Sequence, residues 1–213
     1  MATKRRTDPG PHGSGEGSGS HAPRARARRP AAHVQPASLG ARTAPEAGPE
    51  VLVVMSSESD RDHVAPVGQV LDEFGVRWAW RILSAHQTPQ AAADLARGAL
   101  EAGVKVIVAA AGGAAHLPGV LAAWTPLPVI GLPVPSGTLG GLDSLLSIAQ
   151  MPPGVPVAAV AIGGARNAGL LAVEILALGD RSLRERLLEF RARQAERVLE
   201  ADARLRQGEG SRG

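Results

Sequence analysis

Residues 104–119 read VKVIVAAAGGAAHLPG. An apolar run, Val104–Ala110, breaks into the small-residue loop Ala111–Leu117, and Pro118 starts a short helix that reaches Trp124. The same strand–loop–helix cycle recurs on both sides. Upstream, Glu50–Met55 (EVLVVM) is an apolar run that stops at a serine-rich turn, the pattern of a buried parallel strand. Arg61–Phe74 then reads as a helix closed by Gly75, and Val76–Leu83 alternates with Val76, Trp78, Trp80 and Ile82 on one face. Thr88-Pro89 opens a helix that runs to Ala102 and ends at Gly103. Downstream come a strand at Pro128–Leu132, a helix at Gly141–Ala149, a strand at Val157–Ile162 and a helix at Ala168–Leu178. Five strands alternating with helices predict an α/β fold with a parallel, doubly wound sheet. In such sheets ligands bind at the loops leaving the carboxyl ends of the strands.

Composition agrees. Of the 213 residues 44% are hydrophobic but only 2% aromatic, so the core is built from Ala, Val, Leu and Ile. The absence of cysteine excludes disulfides, thiolate metal sites and cysteine nucleophiles. No apolar run approaches the ~20 residues that cross a bilayer, and Lys4, Arg5 and Arg6 have no hydrophobic stretch behind them, so no secretory signal or membrane partner is expected and the cytoplasm is the default. Residues 1–49 hold eight basic and three acidic side chains amid Gly, Pro, Ser and Ala, and read as a disordered tail. No aromatic interleaves its arginines, so a solvated extension is expected rather than a nucleic-acid contact. The domain itself spans 50–180. Ser182–Arg206, within a C-terminal segment 181–207, reads as a last helix whose charges form i,i+4 pairs. Its thin stripe of Leu183, Leu187, Phe190, Val198 and Leu199 is expected to pack on a neighbouring subunit, and 208–213 to be disordered.

Each polar cluster falls in a loop after a strand. Ser56-Ser57-Glu58-Ser59-Asp60 precedes a helix whose free amides suit phosphate, with Ser57 and Ser59 adding hydroxyls. Asp60 would repel phosphate and is expected to cap the helix or accept from ribose hydroxyls; capping alone is the competing reading. Ser84-Ala85-His86-Gln87-Thr88-Pro89 carries a histidine, a side chain that can both give and take a proton near neutral pH. The loop around Gly112 and Gly113 lets a ligand approach the backbone and places His116 before Pro118. Pro133–Asp143 and Gly163–Asn167 could add small polar contacts. His63 is expected at the surface, and with His86 and His116 as the other histidines outside the tail, no metal site is expected. Phosphate-loop and dinucleotide-binding fingerprints are absent, so neither ATP nor a dinucleotide is expected.

Taken together, VLVVMSSESD, SAHQTP, AGGAAHLPG, TPLPVIGLPV, TLGGLDSLLSIAQMPPGVPVA and GGARNAGLLA resemble the class I N5-carboxyaminoimidazole ribonucleotide mutases of purine synthesis, the PurE family. The resemblance implies a flavodoxin-like three-layer αβα sandwich with a five-stranded parallel sheet and an extra C-terminal helix, assembled as a homo-octamer with active sites at subunit contacts. It implies carboxylate transfer from the exocyclic nitrogen to carbon four of the imidazole, without cofactor, ATP or metal, and a functional link to the ATP-dependent carboxyaminoimidazole ribonucleotide synthase. His86 matches the catalytic histidine and His116 the second loop histidine. Ser57, Ser59 and Asp60 match the first substrate-binding loop, while Ser84, Gln87, Gly112 and Leu117 would line the site.

Two positions depart from the family pattern. Gln87 stands where an arginine is expected on the substrate phosphate, and Ser56 where glycine is usual. Either Arg61, Arg81 or Arg166 substitutes for the missing cation, or affinity falls. Two further readings stay open: a direct aminoimidazole ribonucleotide carboxylase of the class II type, and a non-catalytic nucleotide-binding relative.

Overall fold

Val51–Met55 (β1) is apolar at all five positions, and all five are buried because this strand lies inside the sheet. In this computed structural model, which describes residues 48–137 and 139–209, β1 pairs in parallel with Trp78–Ile82 (β2) on one side and Val106–Ala111 (β3) on the other. Val129–Pro133 (β4) continues from β3, and Ala158–Ala159 (β5) closes the edge. The order is β2-β1-β3-β4-β5 and every pair is parallel. This is the flavodoxin-like order, whose winding reverses between β1 and β3.

Alternate residues of β1 enter different cores. Val51, Val53 and Met55 pack with Arg61–Glu73 (α1) and Ala165–Ala177 (α5), through Val67, Leu71, Ala168 and Val173. Leu52 and Val54 face Pro89–Ala99 (α2), Leu117–Ala122 (α3) and Leu142–Ala149 (α4), through Ala92, Ala96, Leu121 and Ile148. The period of two in side-chain direction thus gives the three layers, helices–sheet–helices. Close approach of α1 and α5 depends on Gly169, where a Cβ would lie 2.9 Å from that of Val70 and 3.1 Å from the Val67 carbonyl.

The structure corrects the last cycle. Val157–Ile162 was expected as a full strand, but only Ala158 and Ala159 form one. Val160 N–H donates to the Gly131 carbonyl and Gly163 N–H to that of Pro133, yet Pro133 has no N–H to return, so the ladder stops. The next helix begins at Ala165 rather than Ala168.

Arg181–Glu209 (α6) is 29 residues long, about 43 Å at the α-helical rise. The Asp180 carboxylate accepts from Leu183 N–H at 3.0 Å and caps it. Contrary to packing on a neighbour throughout, its first half joins its own subunit: Leu183 and Leu187 are buried in the α1–α5 core, and Phe190 meets Phe74 edge-on at 5.5 Å. Val198, Leu199 and Leu205 remain exposed. Expected i,i+4 pairs are present, as in Arg181–Glu185 and Arg206–Asp202. The helix includes residues 208 and 209, assigned from the sequence to a disordered end; residues 1–47 and 210–213 lie outside the described residues. Among the described residues no helix is long and apolar enough to cross a membrane.

Candidate active site

The loops after β1, β2 and β3 converge on a cavity of about 410 Å³ at the point where the winding reverses. Ser57, Ser84, His86, Gln87, Gly112, His116 and Leu117 all line it. Six of the nine residues singled out as substrate-binding or catalytic thus come from the second and third loops, and one from the first.

Two histidines thirty residues apart meet there. His86 Nε2 and His116 Nδ1 lie 2.7 Å apart, with ring planes at 72°. One ring nitrogen donates and the other accepts; two N–H groups facing each other at this distance would repel. The facing nitrogens therefore hold a single hydrogen between them, and each ring keeps its other nitrogen for a ligand.

The two loops are held by different means. In the β2–α2 loop, Ser84 Oγ accepts from His86 N–H at 3.3 Å and Gln87 N–H at 3.2 Å. Thr88 Oγ1 accepts from Ser84 N–H at 2.9 Å and donates to the Ser84 carbonyl at 3.0 Å. Short hydroxyl side chains bonding to nearby backbone make such turns self-supporting. In the β3–α3 loop, Ala115 has φ +43°, a left-handed conformation that an alanine adopts only under constraint, immediately before His116. Ser136, from the loop after β4, accepts from Gly113 N–H at 2.9 Å. A Cβ on Gly112 would sit 2.9 Å from that same hydroxyl oxygen, so glycine is what admits the clamp.

Ser59 and Asp60 do not line the cavity. Ser57 takes the N-cap of the short 3-10 turn Glu58–Asp60, accepting from Ser59 N–H, and its hydroxyl lies 2.9 Å from that of Ser59. Asp60 precedes α1 but makes no side-chain cap; its carboxylate is buried and accepts from Ser56 Oγ at 2.9 Å. Ser56, which stands where glycine is usual, closes this turn.

The sequence reading missed Ser56, Glu58 and Ile82 as cavity walls and Ser136 as a clamp. The sequence suggests small polar contacts from the Ser136 loop, but nothing local ties it to Gly113. Of the three substitute cations, Arg166 is spoken for: it forms an ion pair with Glu73 at 3.0 Å and lines a separate groove under α6. Arg61 and Arg81 lie in a hollow next to the cavity. His63 is exposed, as expected. Among the described residues, no three His, Asp or Glu side chains gather as metal ligands would.

Comparisons with known proteins agree with this geometry. Residues 50–197 match the family model described as AIR carboxylase, AIR being aminoimidazole ribonucleotide. The chain is 57% identical over 157 residues to the N5-carboxyaminoimidazole ribonucleotide mutase of Mycobacterium tuberculosis, covering 74% of this chain and 90% of that one. It is 52% identical to the mutase of Pyrococcus abyssi over 143 residues, 67% of this chain and 82% of that one. Among solved structures, Treponema denticola PurE superposes with a TM-score of 0.67 at 30% identity, covering 73% of this chain and 97% of that one. Sequence, sheet order and cavity placement converge: this chain belongs to the AIR carboxylase family.

Proposed function

We propose that the chain isomerises N5-carboxyaminoimidazole ribonucleotide to 4-carboxy-5-aminoimidazole ribonucleotide in purine biosynthesis. The observation that carries this reading is the 2.7 Å His86–His116 contact in a cavity walled by Ala111, Gly112 and Ala115. The reaction breaks an N–C bond, forms a C–C bond and moves one proton from carbon four to nitrogen. His86 gives its proton to the exocyclic nitrogen as the carbamate loses carbon dioxide. Carbon four, made electron-rich by the amine, attacks the trapped carbon dioxide, and His86 removes the proton that carbon four sheds. The imidazole ends as it began. His116, sharing a hydrogen with His86, fixes its tautomer and supplies a second site on which the proton can rest. Carbon dioxide has no charge to grip, so its retention falls to the small apolar wall. Ser57, Ser84 and Gln87 offer hydrogen bonds to the sugar and phosphate.

In this reading the enzyme needs no cofactor, works in the cytoplasm and follows the ATP-dependent synthase that makes its substrate. It is a homo-octamer, with the outer half of α6, where Val198 and Leu199 are exposed, on a neighbouring subunit. Purified protein given the carboxylated nucleotide converts it without bicarbonate. Turnover of the decarboxylated nucleotide with bicarbonate, and none of the carboxylated one, would assign it instead as a direct carboxylase. Sedimentation as a monomer would remove the octamer and the α6 contact.

A further inference from the structure

The substrate class proposed above carries a phosphate monoester, close to a dianion at neutral pH. Yet among the described residues none that lines the histidine cavity is an arginine or lysine, and one, Glu58, is an acid. Taking a dianion into such a place without a cation is unfavourable, because a desolvated charge needs a partner. Next to the cavity lies a second hollow of about 320 Å³ formed by Met55, Arg61, Trp80, Arg81 and Ile82. Ile82 lines both, so the two hollows are neighbours with this side chain between them. Both arginines stand at the sheet's carboxyl edge: Arg61 is the first residue of α1, and Arg81 pairs in register with Val54, two residues before Ser56.

Neither guanidinium forms an ion pair among the described residues, whereas Arg77 pairs with Glu50 at 3.2 Å and Arg97 with Asp94 at 3.0 Å. Arg61 instead lies over the Trp80 ring, 5.6 Å from its centroid, which holds the charge near the hollow without neutralising it. We propose that Arg61 and Arg81 form the phosphate subsite of this enzyme, with Ile82 as the wall over which the ribose passes from the histidines to the cations. The inference rests on the ribonucleotide reading for the identity of the ligand. Guanidinium groups suit it, since their planar donors can bind phosphate oxygens in pairs.

The test uses the full-length protein with Arg61→Gln and Arg81→Gln, singly and together. Arg181→Gln with Lys105→Gln, at exposed positions away from both hollows and from the outer half of α6, serves as a control matched in charge. Removing charge-assisted hydrogen bonds of this kind corresponds to roughly ten- to hundredfold in affinity. The double variant is expected to raise KM by that factor with kcat changed less than about twofold, the pattern of lost uniform binding. Ribose 5-phosphate, titrated by calorimetry, is expected to bind the wild type and the control pair but not the double variant. Gln87→Arg added to the double variant is expected to restore much of the KM, since it puts a cation on the cavity wall. Unchanged KM and unchanged ribose 5-phosphate binding in the double variant overturn the subsite. If the wild type turns over no carboxylated nucleotide, the functional reading fails, and the ribose 5-phosphate titration still decides the subsite by itself.

Discussion

The two loops that present His86 and His116 reach the same point by opposite means. The β2–α2 loop is self-contained: Ser84 and Thr88 bond to backbone within four residues, and His86 rides on that turn. The β3–α3 loop has no such side chains. It holds His116 through an alanine at φ +43° and through Ser136, which comes from 23 residues away. The first loop would keep much of its form if its neighbours moved; the second depends on β4 and the chain that follows it. The histidine contact is thus positioned by tertiary packing on one side and by local chemistry on the other.

Removing either histidine is expected to have the largest effect. If the pair works as one proton-transfer unit, His86→Asn and His116→Asn each lower kcat by about 10²–10⁴-fold, and the double variant is little worse than the more damaging single one. Steady-state kinetics decides this, and a His116→Asn enzyme within about threefold of wild type would separate the two residues. A smaller effect sharpens the contrast between the loops. Ser136→Ala leaves Gly113 N–H without its acceptor and is expected to lower kcat about tenfold. Ser84→Ala, whose freed amides lie near solvent, is expected to cost only several-fold, since a re-solvated donor loses about 1 kcal/mol or less. Equal losses in the two variants would erase the distinction. The smallest effect is at Ala115. Glycine there relieves the left-handed strain of roughly 1–2 kcal/mol but loosens the unfolded chain by about 0.5–1 kcal/mol. Glycine also forfeits the buried Ala115 methyl, about 0.8 kcal/mol, so the unfolding free energy by urea denaturation is expected to stay within about 1 kcal/mol of wild type, and a larger loss would show that the alanine is unstrained.

Most of the fold was legible because its signals are local. β1 and β4 are short apolar runs that lie inside the sheet and show it, and the helix starts at Thr88-Pro89 and Pro118 carry their own punctuation. The fifth strand was not legible, because what shortens it is a missing donor on β4 rather than anything in Val157–Ile162. In the site, both histidines could be picked out by loop position, but their 2.7 Å contact could not, since it arises from parallel pairing of β2 and β3 on either side of β1. The hydrogen bond from Ser56 to Asp60 was not legible for a similar reason: it depends on the fold of the turn, and Ser56 stands out in the sequence only as a departure from glycine. The hollow holding Arg61 and Arg81 needs the α1–β2 neighbourhood, which no linear spacing reveals.

Pro133 has one more effect, on what the sheet can do to other molecules. An edge strand with a long row of free donors and acceptors is a template for another chain to pair with, and low-charge, β-branched segments are the most prone to do so. Residues 157–162, VAAVAI, are such a segment, and they lie at the open edge of this sheet. Because the proline ends regular pairing after Ala159, only two residues stand in strand geometry there, and the chain turns away at Gly163. The imino acid that truncates β5 therefore also leaves a free edge of only two strand residues for another chain to pair with.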